Sequence, residues 1–149
     1  MAGVFHWVKV TAFCYATEDE EKLGDMMACI SGTRDFNAEM SDGHHGNSMI
    51  IFTAELKNNA ECAGLFGRLG ADVIGTVIGE LDSRVDDDCM FYMRLDKQAA
   101  VSDVYEIAHH GDVVSITCKI VSHPARKDVA TANMRRFLEK VLEEQQHAA

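Results

Sequence analysis

The chain has 149 residues, of which 47% are hydrophobic and 26% are charged, and it carries a formal net charge of −10. This length suits one domain with a real core, and no Gly/Ser-rich or Pro-rich stretch marks a linker, so we expect a single domain over residues 1–149. No apolar run is long enough for a membrane helix, and the N-terminus lacks the basic and apolar regions of a signal peptide. We therefore expect no membrane association and a cytoplasmic location.

The charge is distributed unevenly along the chain. The segment from Lys119 to Lys140 contains six basic and two acidic residues, so it carries +4 and the remainder carries −14. A basic segment, which here includes Arg126 and Lys127, can attract nucleic acid. An acidic remainder is equally typical of an ordinary soluble surface, so composition alone leaves both interpretations open.

The first half of the chain begins with a strand pattern. Residues 4–15 alternate with period two, which predicts a strand with His6 on the core-facing side and Phe5 on the other. The string TEDE at 17–20 predicts a helix start with a capping box, and Gly32 predicts its end. Two strands follow over residues 35–40 and 48–56, and their predicted inward side chains are Phe36, Ala38, Met40, Ile50, Phe52, Ala54 and Leu56.

The second half begins with two apolar helical stripes, which Gly70 separates. Strands are predicted over residues 89–95 and 113–121, each with alternate apolar side chains directed inward. Pro124 predicts the first turn of a C-terminal helix. The five cysteines fall on apolar periodic positions without a CxxC pair, so we expect them to act as small hydrophobic side chains and expect no bound metal or other cofactor.

Strands and helices alternate irregularly, which predicts an α+β fold with a mainly antiparallel sheet and helices packed on one face. The string HHGN at 44–47 returns as HHGD at 109–112, and each precedes a predicted strand. This echo suggests a degenerate internal duplication of the domain.

The two histidine pairs raise the question of a metal or catalytic site, which would make the protein a metal-assisted hydrolase. Adjacent side chains of an extended chain point to opposite sides, and no HExxH or HxH spacing is present. Glycines beside His44 and His45, with Asn47 after them, favour a turn into the next strand. We therefore interpret both strings as turns, whose histidine side chains could contact a ligand without taking part in chemistry. We expect no metal and no catalytic residues.

The face of the predicted sheet opposite the core carries an unusual set of side chains. A sheet covered on one side should be polar on the other, yet here aromatic residues alternate with cations. Unpaired RNA bases stack on aromatic rings while Lys and Arg neutralise phosphates, so RNA is one interpretation. Burial against a partner subunit, or within the monomer, would also explain these residues: Phe5, Trp7, Lys9, Thr11, Phe13, Tyr15, Tyr92, Arg94 and Lys119.

The segment MRLDKQAA at 93–100 places Arg94, Lys97 and Gln98 together at the end of a strand, where polar side chains can meet a ligand. The alternative is a charged strand end that opens a short helix, with Asp96 as its N-cap.

Five motifs in this order resemble a family of small archaeal proteins described as predicted exosome subunits or RNA-binding proteins. The motifs are ATEDEEK, GHHGN, RLDKQAA, GDVVSITCKI and HPARK, and the resemblance covers residues 5–142. It implies a fold like that of a 5S-RNA-binding large-subunit ribosomal protein, and a link to RNA processing.

The sequence therefore leads to a non-catalytic RNA-binding protein linked to RNA processing or the archaeal exosome. The alternative is an assembly subunit, in a homodimer or an RNA-processing complex, that uses the aromatic face. The candidate RNA-binding residues are Trp7, Lys9, Phe13, Tyr15, His44, His45, Asn47, Tyr92, Arg94, Lys97, Gln98, Lys119, Arg126 and Lys127.

Overall fold

The structure is a computed structural model that describes residues 3–42 and 48–147. His44, His45 and Asn47 lie outside the described residues. The elements are β1 (Phe5–Tyr15), α1 (Glu20–Ser31), β2 (Asn37–Asp42), β3 (Ser48–Leu56), α2 (Asn59–Arg68), α3 (Ala71–Gly79), α4 (Leu81–Arg84), β4 (Met90–Asp96), α5 (Lys97–Val101), β5 (Val113–Ile120) and α6 (Lys127–His147).

The strands form one five-stranded sheet in the order β2-β3-β1-β5-β4, and every neighbouring pair is antiparallel. The helices pack against one side of this sheet, where their apolar side chains and alternate strand residues form one buried cluster. This confirms the predicted α+β class. The suggested internal duplication stays a prediction.

The period-two pattern places most core residues correctly, but it fails at the start of β1. Phe5 pairs with Ile120 while Trp7 pairs with Lys119, so His6 is one extra residue in β1 at this point. Such a β-bulge breaks the alternation of side chains. Phe5 is consequently buried and His6 is exposed, and both predictions for these residues were wrong.

The Phe5 ring joins an aromatic cluster beneath the helices. It stacks on Phe66 of α2 with 5.3 Å between ring centroids, and it meets Phe137 of α6 edge-on at 5.1 Å. Aromatic pairs at such distances add about 0.5–1.5 kcal/mol beyond their buried area. The bulge therefore moves one aromatic side chain from the open face into the core.

The prediction for the edge strand β2 is only partly correct. Ala38 and Met40 pair with Phe52 and Ile50 of β3, so they lie on the core-facing side of the sheet. Both are nevertheless exposed, because the core does not extend beneath this outer strand. Phe36 alone reaches the core edge and meets the Phe52 ring edge-on at 5.6 Å.

Helix ends follow local capping chemistry, with two differences from prediction. Asp19, and not Thr17, caps α1 by accepting hydrogen bonds from two first-turn amides. Gly32 ends α1 with φ +78°, as predicted. Helix α6 begins at Lys127, after Pro124, so Pro124 is not in its first turn.

The apolar helices α2 and α3 are separate, as Gly70 predicts. No single helix in the described ranges is long and apolar enough to cross a membrane, although α2 and α3, bent by 104°, pass that test when combined. Four cysteines are buried as predicted, but Cys29 on α1 is exposed, so the prediction for this residue was wrong.

Candidate nucleic-acid interface

The face of the sheet opposite the helices, here called the open face, is built by cross-strand rows of side chains. One row runs from Tyr92 on β4 through Thr117 and Lys9 to Glu55 on β3. The rows beside it bring together Met90, Lys119 and Trp7 on one side, and Arg94, Ser115, Thr11 and Thr53 on the other. Residues from distant parts of the sequence therefore form one continuous surface.

Aromatic rings on this surface are accessible. Phe13, Tyr15 and Tyr92 are exposed by 41%, 46% and 47%, which are high values for large side chains on a sheet. Trp7 is half-buried, and the Lys9 ammonium lies 5.5 Å from its ring centroid in a cation–π arrangement. Burial in the monomer core, one of the three interpretations, therefore does not describe these rings.

Tyr92 is held by an acidic turn that precedes β4. Its hydroxyl donates to Asp86 at 3.2 Å, and the other Asp86 oxygen accepts from the amides of Asp88 and Met90. Burial would raise the pKa of the Asp86 carboxyl, but these amide and hydroxyl donors outweigh it and lower the pKa. The Tyr92 pKa is raised, first by burial and then by Asp86. The hydrogen bond to Asp86 thus holds the Tyr92 ring in place.

Lys119 and Arg94 flank Tyr92 but are engaged differently. The Lys119 ammonium donates to the Asp88 carbonyl, which draws it toward the acidic turn. The exposed Arg94 donates one hydrogen bond, 3.1 Å long, to the His109 carbonyl. Arg94 therefore keeps most of its donors for a ligand.

Lys97 has a different position from the one its sequence context suggested. Its side chain is fully buried, and the ammonium lies 2.7 Å from Glu18 and 2.9 Å from Asp112. It also donates to the Phe13 carbonyl and lies 4.8 Å from the Tyr15 ring centroid. This placement leaves no surface for RNA, so it does not support direct contact by Lys97.

Neighbouring residues complete this buried group. Gln98 donates to Glu18 and Asp112 at 3.1 Å each, and it remains exposed at the edge of the site. Burial would raise the pKa of the Glu18 carboxyl, but hydrogen bonds from Lys97, the Tyr15 amide and Gln98 lower it. Asp96 caps α5 through the Ala99 amide, as the alternative interpretation of this segment predicted.

Arg126 and Lys127 lie apart from the open face. They line a hollow of about 800 Å³ with Asp82 and Asp87, at the beginning of α6. Arg126 pairs with Asp128 at 2.6 Å, and both side chains are exposed. The structure therefore does not bring these two residues together with the aromatic rings.

The second histidine string is a turn into β5. His109 and His110 are exposed, Gly111 has φ +94°, and the strand begins at Val113. Within residues 3–42 and 48–147, no group of three His, Cys, Asp or Glu side chains could hold a metal ion. Asp112, the last residue of this string, also forms an ion pair with Lys97.

Sequence reasoning missed Arg84, because the string ELDSRVDDD at 80–88 is dominated by acids and predicts a solvated turn. In the structure, Arg84 is mostly buried and donates to the Tyr92 carbonyl at 3.3 Å. Its isolation as the one cation among acids was the available signal.

A family model described as RNA binding matches residues 7–120, from β1 to the end of β5. The chain belongs to this family. The match includes every strand that forms the open face and ends before α6. The basic segment at the start of α6 is therefore outside the matched region.

Three relatives of the chain come from archaea. The RNA-binding protein PAB1135 of Pyrococcus abyssi is 25% identical over 93% of this chain and 98% of its own length. The DUF54 protein Mth689 from Methanothermobacter thermautotrophicus is 28% identical, with a TM-score of 0.79 over 91% of this chain and 98% of that one. Protein SSO0741 from Sulfolobus solfataricus has the same fold at 16% identity, with a TM-score of 0.72 over 93% and 98% of the two chains.

Proposed function

We propose that this chain is a non-catalytic RNA-binding protein that uses its open face to bind unpaired bases. The observation that carries the proposal is the uncovered surface of Phe13, Tyr15 and Tyr92 on the same face of the sheet as Lys9 and Arg94. Membership of the RNA-binding family, and similarity to the RNA-binding protein of Pyrococcus abyssi, support RNA as the ligand.

The physical basis is stacking combined with charge. A base that stacks on an exposed aromatic ring contributes about 1–3 kcal/mol, with little dependence on its sequence. Phe13 and Tyr15 are two residues apart on β1, which separates their side chains by about 7 Å along the strand. An extended single strand can therefore place successive bases on the two rings and continue along the same face toward Lys9 and Arg94.

The link to RNA processing or the archaeal exosome is a further part of the proposal and rests on the resemblance of the motifs. The aromatic, hydroxyl and basic groups of the open face are suited to holding a strand and require no reaction chemistry. We therefore assign the protein a binding role within such a process.

Filter binding to single-stranded RNA across a salt series tests this function. We expect measurable affinity at low salt that falls steeply as salt rises, because phosphate contacts release counterions. Combined Trp7→Ala and Lys9→Ala should weaken binding at least tenfold, or about 1.4 kcal/mol. Lys22→Ala is the matched control, since Lys22 is exposed on α1 at the opposite side of the sheet. No binding at low salt, or full binding by the double variant, would refute the proposal.

A second candidate is an assembly subunit that buries the same aromatic face in a homodimer. The exposed rings, together with half-buried Met49 and Ile51 beside them, give this face the apolar character of an interface. Light scattering separates the two: a dimer that Phe13→Asp converts to a monomer, without RNA affinity, would favour assembly. A monomer at high concentration would refute the homodimer.

A further inference from the structure

A small hollow of about 260 Å³ lies at the outer edge of β4, next to the open face. Its walls come from α4, from β4 and from the segment that precedes β5. The polar and charged side chains that line it are Glu80, Ser83, Arg84, Tyr92, Arg94 and His109. Two arginines therefore share one cavity, and the RNA-binding proposal above uses Arg94 but not Arg84.

The hollow lies where the chain leaves a gap along the outer edge of β4. On one side of the gap the Asp86 amide donates a hydrogen bond to the Met90 carbonyl at 2.9 Å. On the other side the Ala108 amide donates to the Arg94 carbonyl, also at 2.9 Å. Between these points the Tyr92 carbonyl accepts a hydrogen bond from Arg84 at 3.3 Å. A guanidinium thus occupies the place of a neighbouring strand.

The hydrogen-bonding groups of Arg84 are poorly satisfied. Its side chain is only 12% exposed, its two hydrogen bonds to Tyr92 and Glu80 are both 3.3 Å long, and its Nε has no acceptor among the described residues. A guanidinium carries five N–H donors, and buried donors without acceptors are costly. An anion in the hollow would supply acceptor oxygens and compensate the buried charge.

We propose that Arg84 and Arg94 form a pocket for a phosphate group of the RNA strand, next to a base that stacks on Tyr92. This inference rests on the proposed function, because it takes RNA as the ligand. Arginine suits the task, since its planar fork matches the oxygens of a phosphate. Tyr92 connects the two sites: its ring belongs to the open face and its carbonyl holds Arg84.

Glu80 gives the pocket a distinctive property. Its carboxylate lies 3.3 Å from the Arg84 guanidinium and therefore competes with any phosphate for the same donors. Removing this negative charge should strengthen phosphate binding, while removing the arginine should weaken it. Opposite effects from two neighbouring side chains, neither of them on the open face, are not expected from a general loss of structure.

Fluorescence anisotropy with one labelled single-stranded RNA, prepared with a 5′-phosphate and with a 5′-hydroxyl, tests the pocket. Arg84→Gln should lower the affinity about tenfold and reduce the slope of log affinity against log salt by about 0.7, the loss of one phosphate contact. Glu80→Gln should raise the affinity about threefold, because it removes a competing anion close to the arginine. Arg34→Gln is the control, since Arg34 is 72% exposed and pairs with Asp25 of α1.

The two RNA forms identify the source of the phosphate. Higher affinity for the 5′-phosphate form that disappears in Arg84→Gln assigns the pocket to a terminal phosphate, whereas equal loss with both forms assigns it to an internal one. Thermal unfolding checks that Arg84→Gln is folded. If it is not, the RNA affinities of two other variants test the pocket: Glu80→Gln, and Arg84→Lys, which keeps the charge but loses the planar fork. Unchanged affinity in these variants, with binding still lost in the Trp7 and Lys9 double variant, would overturn the pocket and leave the open face. Full binding by the double variant would overturn both.

Discussion

The buried ammonium of Lys97 provides the sharpest test of how this fold is held together. Lys97→Met keeps a similar length and apolar stem but removes the charge that Glu18 and Asp112 share at 2.7 and 2.9 Å. The two carboxylates would then repel each other without a compensating cation. We expect the variant to fold with clearly lower stability.

The magnitude follows from how exposed the two acids are. Removing one partner of a fully buried ion pair costs about 3–5 kcal/mol, because the remaining charge is left without compensation. Here the Glu18 side chain is 15% exposed and the Asp112 side chain 36%, so water can recover part of their hydration. We therefore expect a loss of about 2–3 kcal/mol in the free energy of unfolding.

Urea unfolding followed by the fluorescence of Trp7, the single tryptophan, measures this loss. Adding Glu18→Gln to Lys97→Met should recover about 1 kcal/mol or more, because it removes one uncompensated charge. Lys22→Met, on the exposed side of α1, should change stability by less than about 0.5 kcal/mol. A Lys97→Met variant as stable as the wild type would show that the ion pairs do not stabilise the fold.

Three further predictions concern the core, a helix end and pH. Phe5→Ala should cost about 3–5 kcal/mol in urea unfolding, whereas His6→Ala in the same bulge should cost less than about 0.5, and equal costs would contradict the bulge. Gly32→Ala should lower the free energy of unfolding by about 1–2 kcal/mol, because φ is +78° and the new Cβ would lie 2.7 Å from the Arg68 guanidinium. Gly75→Ala should not destabilise the protein, because no atom lies within 4 Å of the position of its Cβ. The pKa of Glu18 is lowered from 4.5 in the folded state, so its contribution to stability is present above pH 4.5 and is lost as the pH falls through the folded-state pKa. Glu18→Gln should therefore weaken the dependence of the free energy of unfolding on pH, measured by urea unfolding at acid pH. An unchanged pH dependence would contradict this.

The period-two patterns predicted the strands well because each central strand is covered on one side only. Val8, Val10 and Ala12 are buried while Lys9 and Thr11 are not, and the same alternation holds in β4 and β5. Where one face meets a core and the other is open, every second residue must be apolar. The class of fold follows from this rule, and the aromatic residues of the open face are noticeable because the rule predicts polar side chains there.

The failures arise where the pattern depends on distant parts of the chain. One additional residue at His6 reverses the direction of Phe5, and only the register against β5 reveals it. Met40 lies on the core-facing side of its strand, yet it is 67% exposed, because the coverage of an edge strand depends on how far the helices extend. Lys97 is buried because Glu18 and Asp112, both far away in sequence, converge on its ammonium.

The net charge of −10 does not conflict with RNA binding, because binding depends on charges near the strand. At an ionic strength of 0.1 M, interactions between exposed charges are largely screened beyond about 10 Å. Asp19, which caps α1, accepts hydrogen bonds from first-turn amides, whereas Lys9 and Arg94 lie on the open face itself. Two acids lie close to the site. Glu55 is opposite Lys9 in the same row, and the oxygens of Asp86 already accept hydrogen bonds from Tyr92 and two amides. Local placement of a few cations among aromatic rings can therefore decide affinity in a chain whose total charge is negative.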